Sequence, residues 1–128
     1  LFASFTNNTN PSIRVPLSEL LTRYGYSNNY YSIRKYREEI LKSYFVISPP
    51  GNGYDCHRTW EAIYTKTIPI VLKDFWPFSE IKLPVLVVDK YESFLSLKDY
   101  EKIEIYDNLI KVNSQAAYLD WWVKLING

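Results

Sequence analysis

Apolar residues in this chain gather in short continuous runs separated by stretches of helical spacing. Residues 44–48, 68–72 and 85–89 are short, largely apolar runs rich in Val and Ile. Such runs mark strands buried on both faces of a parallel sheet, because a half-solvated strand would alternate instead. Residues 1–5 read as a further strand, and 74–81 as a loop around Pro77. Between these runs, residues 15–24 place Leu17, Leu20, Leu21 and Tyr24 at helical spacing, with Pro16 in the first turn. Gly25 and the Ser27-Asn28-Asn29 stretch close that helix. Residues 32–43 put Ile33, Tyr36, Ile40 and Leu41 on one face and Arg34, Lys35, Arg37, Glu38 and Glu39 on the other. Residues 55–65 form the next helix, and from Ser96 onward the pattern is helical, as two helices broken near 112–115. Strands alternating with helices predict an α/β fold, a parallel sheet with helices on both faces.

In such sheets ligands bind beyond the carboxyl ends of the strands. The stretch from Ser48 to the next helix lies there and contains Pro49, Pro50, Gly51, Asn52, Gly53 and Tyr54. Backbone N–H groups of a glycine-rich loop, with the positive end of a helix behind them, suit a phosphate or pyrophosphate. Asp55 opens the helix as its N-cap. Arg58 falls in the first turn, where a guanidinium can fork onto phosphate oxygens. Glu61, three residues on, shares that face and can accept hydrogen bonds from ribose hydroxyls. The spacing equally allows an ordinary Arg58–Glu61 surface ion pair, and Pro-Pro-Gly-Asn-Gly can be no more than a strand-to-helix turn. His57 is the sole histidine, and no second ligand stands at metal-binding spacing from it. It fits a loop imidazole donating to phosphate better than a general base. Cys56 lacks a paired base and reads as a bystander. Arg14 either reaches the strand-end crevice from the first loop, adding charge near a diphosphate, or is a solvated loop residue. Asp89 ends its strand on the ligand side or caps the next turn.

Composition narrows the classes. With 128 residues the chain is one domain, and 47 % hydrophobic and 17 % aromatic residues indicate a packed core. A formal net charge of +1 with interleaved signs provides no footprint for nucleic acid. One cysteine excludes an internal disulfide. No apolar stretch reaches the roughly 18 residues of a membrane span. The chain opens at Leu1 and contains no Met, so it reads as a domain cut from a longer protein whose missing part lies upstream.

Ser48-Pro-Pro-Gly-Asn-Gly-Tyr-Asp-Cys-His-Arg-Thr-Trp-Glu-Ala62, then Ile68-Pro-Ile-Val71 and Leu83-Pro-Val-Leu-Val-Val-Asp89, resemble the donor-binding domain of exostosin-like glycosyltransferases. The resemblance is sharpest over residues 44–89. Outside that span, Thr9-Asn-Pro-Ser-Ile-Arg14 and the Trp121-Trp122 pair match more loosely. It implies a Rossmann-like sheet forming the nucleotide-sugar half of a two-domain GT-B enzyme. Sugar would pass from a nucleotide diphosphate sugar, a UDP-sugar on resemblance alone, to a saccharide or glycoprotein acceptor. Ser48, Gly51, Asn52, Gly53, Tyr54, Asp55, His57, Arg58, Glu61 and Arg14 would form the donor site. Arg58 would stabilise the leaving nucleotide and Glu61 orient the ribose. No metal or other cofactor is expected. The general base would come from the missing N-terminal domain, leaving the isolated chain able to bind but not to turn over. One departure concerns the turn before Ile68, where the family usually carries glycine and this chain has Lys66 or Thr67. That substitution favours the alternative, a non-catalytic α/β interaction domain that has lost the donor.

Overall fold

The computed structural model describes residues 1–5, 10–29, 31–50, 57–78 and 83–112. Within them the chain forms α1 (Pro11–Arg23), α2 (Ile33–Leu41), β1 (Phe45–Ile47), α3 (His57–Tyr64), β2 (Ile68–Leu72), β3 (Leu86–Val88), α4 (Glu92–Leu95) and α5 (Asp99–Leu109), with a 3₁₀ turn at Lys73–Phe75. The strands make a three-stranded sheet in the order β1-β2-β3. Both pairings are parallel, with Phe45 opposite Ile68 and Ile70 opposite Leu86. Residues 1–5 contribute an isolated parallel bridge, Phe2 to Val46, rather than a full strand. Two backbone hydrogen bonds hold it, Phe2 N to Phe45 O at 2.8 Å and Ile47 N to Phe2 O at 2.9 Å.

The period-two geometry of a strand sends alternate residues to opposite faces, and the buried residues sort accordingly. Phe45, Ile47, Ile68 and Ile70 join Leu17 and Leu21 of α1 and Phe94 and Leu95 of α4, while Ile105, Tyr106 and Leu109 of α5 pack against the same cluster. On the opposite face, Val46 meets Ile40 of α2 and Ala62 of α3. Val71 on that side packs with Ile63, Trp76, Leu83 and Val85. Helices therefore cover both faces of β1 and β2, as their continuous apolar runs predict, whereas β3 at the edge is only half-buried, with Val87 40 % exposed.

Several boundaries differ from the sequence reading. The first helix begins at Pro11, not at Val15, because Pro11 occupies the first helical turn and Asn10 adopts a left-handed conformation (φ 54°, ψ 59°) at its N-cap. Pro16 consequently lies inside the helix rather than in its first turn. On α2, Ile40 is 2 % exposed, but Ile33 and Leu41 are 73 % and 66 % exposed. Leu41 is turned about 100° around the axis from Ile40, and Ile33 lies about 10 Å along it. The packed face thus runs from the half-buried Tyr36, whose ring lies 5.4 Å from that of Phe2, to Ile40 in the last turn. A helix at Glu92–Leu95 precedes Ser96, where helical structure is expected to begin. The second of the two expected C-terminal helices, with Trp121 and Trp122, lies outside the described residues.

Two helices end in the same way. After α1, Tyr26 N donates to Leu21 O (2.9 Å) and Gly25 N to Thr22 O (3.1 Å), with Gly25 at φ 84°. After α3, Thr67 N donates to Ala62 O (2.9 Å) and Lys66 N to Ile63 O (3.3 Å), with Lys66 at φ 59°. Both are Schellman caps, which need a left-handed residue. The turn before Ile68 therefore retains the form that glycine would provide, with lysine in its place. Thr67, 1 % exposed, then donates from Oγ1 to Ile40 O at 2.8 Å, joining the start of β2 to the end of α2.

Candidate functional site

The carboxyl end of β1 is where the sequence-predicted residues converge. Ser48 follows β1, is 3 % exposed, and its backbone N–H continues the ladder by donating to Ile70 O at 3.0 Å. Its hydroxyl lies 2.6 Å from Thr59 Oγ1, itself on a residue 1 % exposed. Tyr91 OH donates to Ser48 O at 3.4 Å from the far side of the strand. Ser48 is thus engaged with the fold, and its hydroxyl ties β1 to the first turn of α3.

That turn carries Arg58. The side chain is half-buried, and its Nε is enclosed without a hydrogen-bond partner among the described residues. A guanidinium N–H shut away from water without an acceptor costs on the order of 1–3 kcal/mol or more, so native structures seldom leave one unless a ligand or water satisfies it. Arg58 is not paired with Glu61. The ion pairs among the described residues are Arg34–Glu38 and Lys35–Glu39, both on α2. Glu61 is exposed one turn further along α3. Its carbonyl accepts from Thr65 N and Oγ1, leaving the carboxylate facing solvent. The rest of α3 is firmly seated. Ala62 and Ile63 are 0 % and 3 % exposed, and Trp60 packs tilted against Trp76 and edge-to-face with Phe78, ring centroids 6.4 and 5.5 Å away.

Arg14 reaches the strand end, as one of the two sequence expectations has it, but not from a loop. It belongs to α1, not to a loop, and at 5 % exposure it is not solvated. The helix begins four residues earlier than the apolar spacing indicates, which carries Arg14 onto its buried side. It nonetheless reaches the end of β1, donating from Nε to Pro50 O (3.2 Å) and from Nη2 to Pro49 O (3.3 Å). Asn10 Nδ2 also donates to Pro50 O, at 3.4 Å. The guanidinium carbon stands 5.7 Å from the Phe5 ring centroid.

Gly51, Asn52, Gly53, Tyr54, Asp55 and Cys56 lie outside the described residues, and His57 is described only as the first residue of α3. Asp89 follows β3 at the same carboxyl end of the parallel strands, two strands across from Ser48. Among the described residues no group of three or more His, Cys, Asp and Glu side chains comes together. No described helix is long and apolar enough to cross a membrane.

The residues that sequence reasoning misses are Thr59, Asn10 and Tyr91. Thr59 had a readable signal: it shares the buried stripe with Ala62 and Ile63 at i, i+3 and i+4, where a hydroxyl requires a partner. Asn10 immediately precedes a helix-starting proline. Tyr91 had none, since its partner is a carbonyl 43 residues away. Compared with protein-family models and with curated proteins, the chain has no significant match.

Proposed function

We propose that this chain is the donor-binding, Rossmann-like half of a GT-B glycosyltransferase, transferring sugar from a nucleotide diphosphate sugar to a saccharide or glycoprotein acceptor. The observation that carries the reading is Arg58, whose enclosed Nε lacks an acceptor among the described residues at the carboxyl end of a parallel strand. A diphosphate oxygen would satisfy that donor, and the charge would count most as the nucleotide departs. Glu61, exposed and unpaired with Arg58, is free to accept from ribose hydroxyls. In this reading the backbone of Gly51, Asn52, Gly53 and Tyr54 supports the diphosphate, UDP is the nucleotide, and acceptor deprotonation falls to a group outside this chain.

The left-handed Lys66 weighs against a domain that has lost its donor loop, since the turn that set this chain apart keeps its geometry. The test is a pair of variants, Arg58→Ala and Glu61→Ala. Each is expected to weaken UDP binding at least about tenfold, the scale of one lost charged hydrogen bond, while leaving the melting temperature unchanged. A lowered melting temperature with binding intact would assign both residues to the scaffold and reject the reading.

A further inference from the structure

The structure assigns Arg14 a positioning role: it sets the direction in which the chain leaves β1, and acts on the ligand only through that segment. The inference rests on the donor-site reading above. Pro49 and Pro50 have no N–H, so this stretch can be anchored only through its carbonyls. Arg14 takes both, Nε on Pro50 O at 3.2 Å and Nη2 on Pro49 O at 3.3 Å, and does so at 5 % exposure. A planar guanidinium presents adjacent donors in a fixed fork that spans two successive carbonyls, and a lysine ammonium offers a single point of attachment. Asn10 adds a second donor to Pro50 O from the cap of the same helix. The α1 N-terminus thus grips Pro49 and Pro50, directly after Ser48, which is bonded to Thr59 beside Arg58. Arg14 contributes direction, and Arg58 contributes contact.

Arg14→Lys retains the charge and loses the fork, whereas Arg14→Met loses both. With Arg14 as a positioning residue, both variants bind UDP about tenfold more weakly, the scale of one lost charge-assisted hydrogen bond. Both also move the amide resonances of Ser48, Arg58 and Thr59 in the absence of nucleotide. Should Arg14→Met fail to fold, Arg14→Lys carries the test alone. Retained affinity in Arg14→Lys would show that charge, not the fork, matters, and would overturn the inference. A lower melting temperature with unchanged affinity, measured well below unfolding, would reduce Arg14 to a structural residue and overturn it equally. If the unaltered chain binds no nucleotide, the donor-site reading fails separately. The positioning claim is then decided by those three amide resonances in Arg14→Lys, and their staying in place refutes it.

Discussion

Ser48 Oγ and Thr59 Oγ1 stand 2.6 Å apart in the interior, joining the first residue after β1 to the first turn of α3. One hydroxyl donates to the other in the interior, and Thr59 is the immediate neighbour of Arg58. The contact therefore holds the candidate site against the sheet edge. Ser48→Ala or Thr59→Val removes this buried hydrogen bond and is expected to cost about 0.5–1.5 kcal/mol. The double variant should cost clearly less than the two singles combined, and urea unfolding of all four proteins measures this. Additive losses would show that the hydroxyls do not depend on each other.

The caps of α1 and α3 form an internal comparison. Gly25 and Lys66 occupy equivalent left-handed positions, at φ 84° and 59°. A residue with a Cβ pays roughly 1–2 kcal/mol there, partly offset because glycine is looser in the unfolded chain. Lys66→Gly should thus stabilise the fold by up to about 1 kcal/mol, with Gly25→Ala destabilising it by a similar amount. Denaturant midpoints at constant m-value give both signs.

On α2, Ile40 and Ile33 carry opposite burdens despite sharing a side of the helix. Ile40→Ala should cost about 2–4 kcal/mol because it opens a cavity against Val46 and Ala62. Ile33→Ala, at a site 73 % exposed, should stay within about 0.5 kcal/mol. A comparable loss at both positions would mean that the helix is packed along its length.

Tyr106 adds a pH dependence. Its hydroxyl donates to Lys66 O at 3.0 Å. Burial first, then the nearby Tyr44 and Asp107, raises its pKa above the ordinary tyrosine value. The neutral form is therefore favoured in the folded state. The resulting stability is complete below the unfolded tyrosine value of about 10 and is lost as pH rises through the folded value. Tyr106→Phe should flatten the alkaline limb of the stability profile. An unchanged limb would show that Tyr106 does not contribute to it.

How much could be read beforehand follows from which interactions are local. Continuous apolar runs disclose strands because burial on both faces removes the need for alternation, and Ile68–Leu72 is recovered at its observed limits. Arg58 and Glu61 are placed correctly on α3 because helical spacing alone orders them. Ile33 is misplaced because periodicity reports a face but not how far along the helix a neighbour reaches, and Leu41 because it stands about 100° round the axis from Ile40. Arg14 is misread because an Asn-Pro start extends α1 beyond the apolar pattern, and because its acceptors lie 35 and 36 residues away. The left-handed Lys66 is legible only as an oddity, since cap hydrogen bonds rather than side-chain chemistry select its conformation.

The central claim is that Arg58 belongs to a nucleotide diphosphate site at the carboxyl end of β1. The most direct measurement is titration of this chain with UDP, GDP and CMP, followed residue by residue through amide chemical shifts. Saturable changes at Ser48, Arg58 and Glu61 with UDP, abolished in Arg58→Ala, are the predicted result. Absence of saturation with all three nucleotides, or changes centred away from the end of β1, would contradict it.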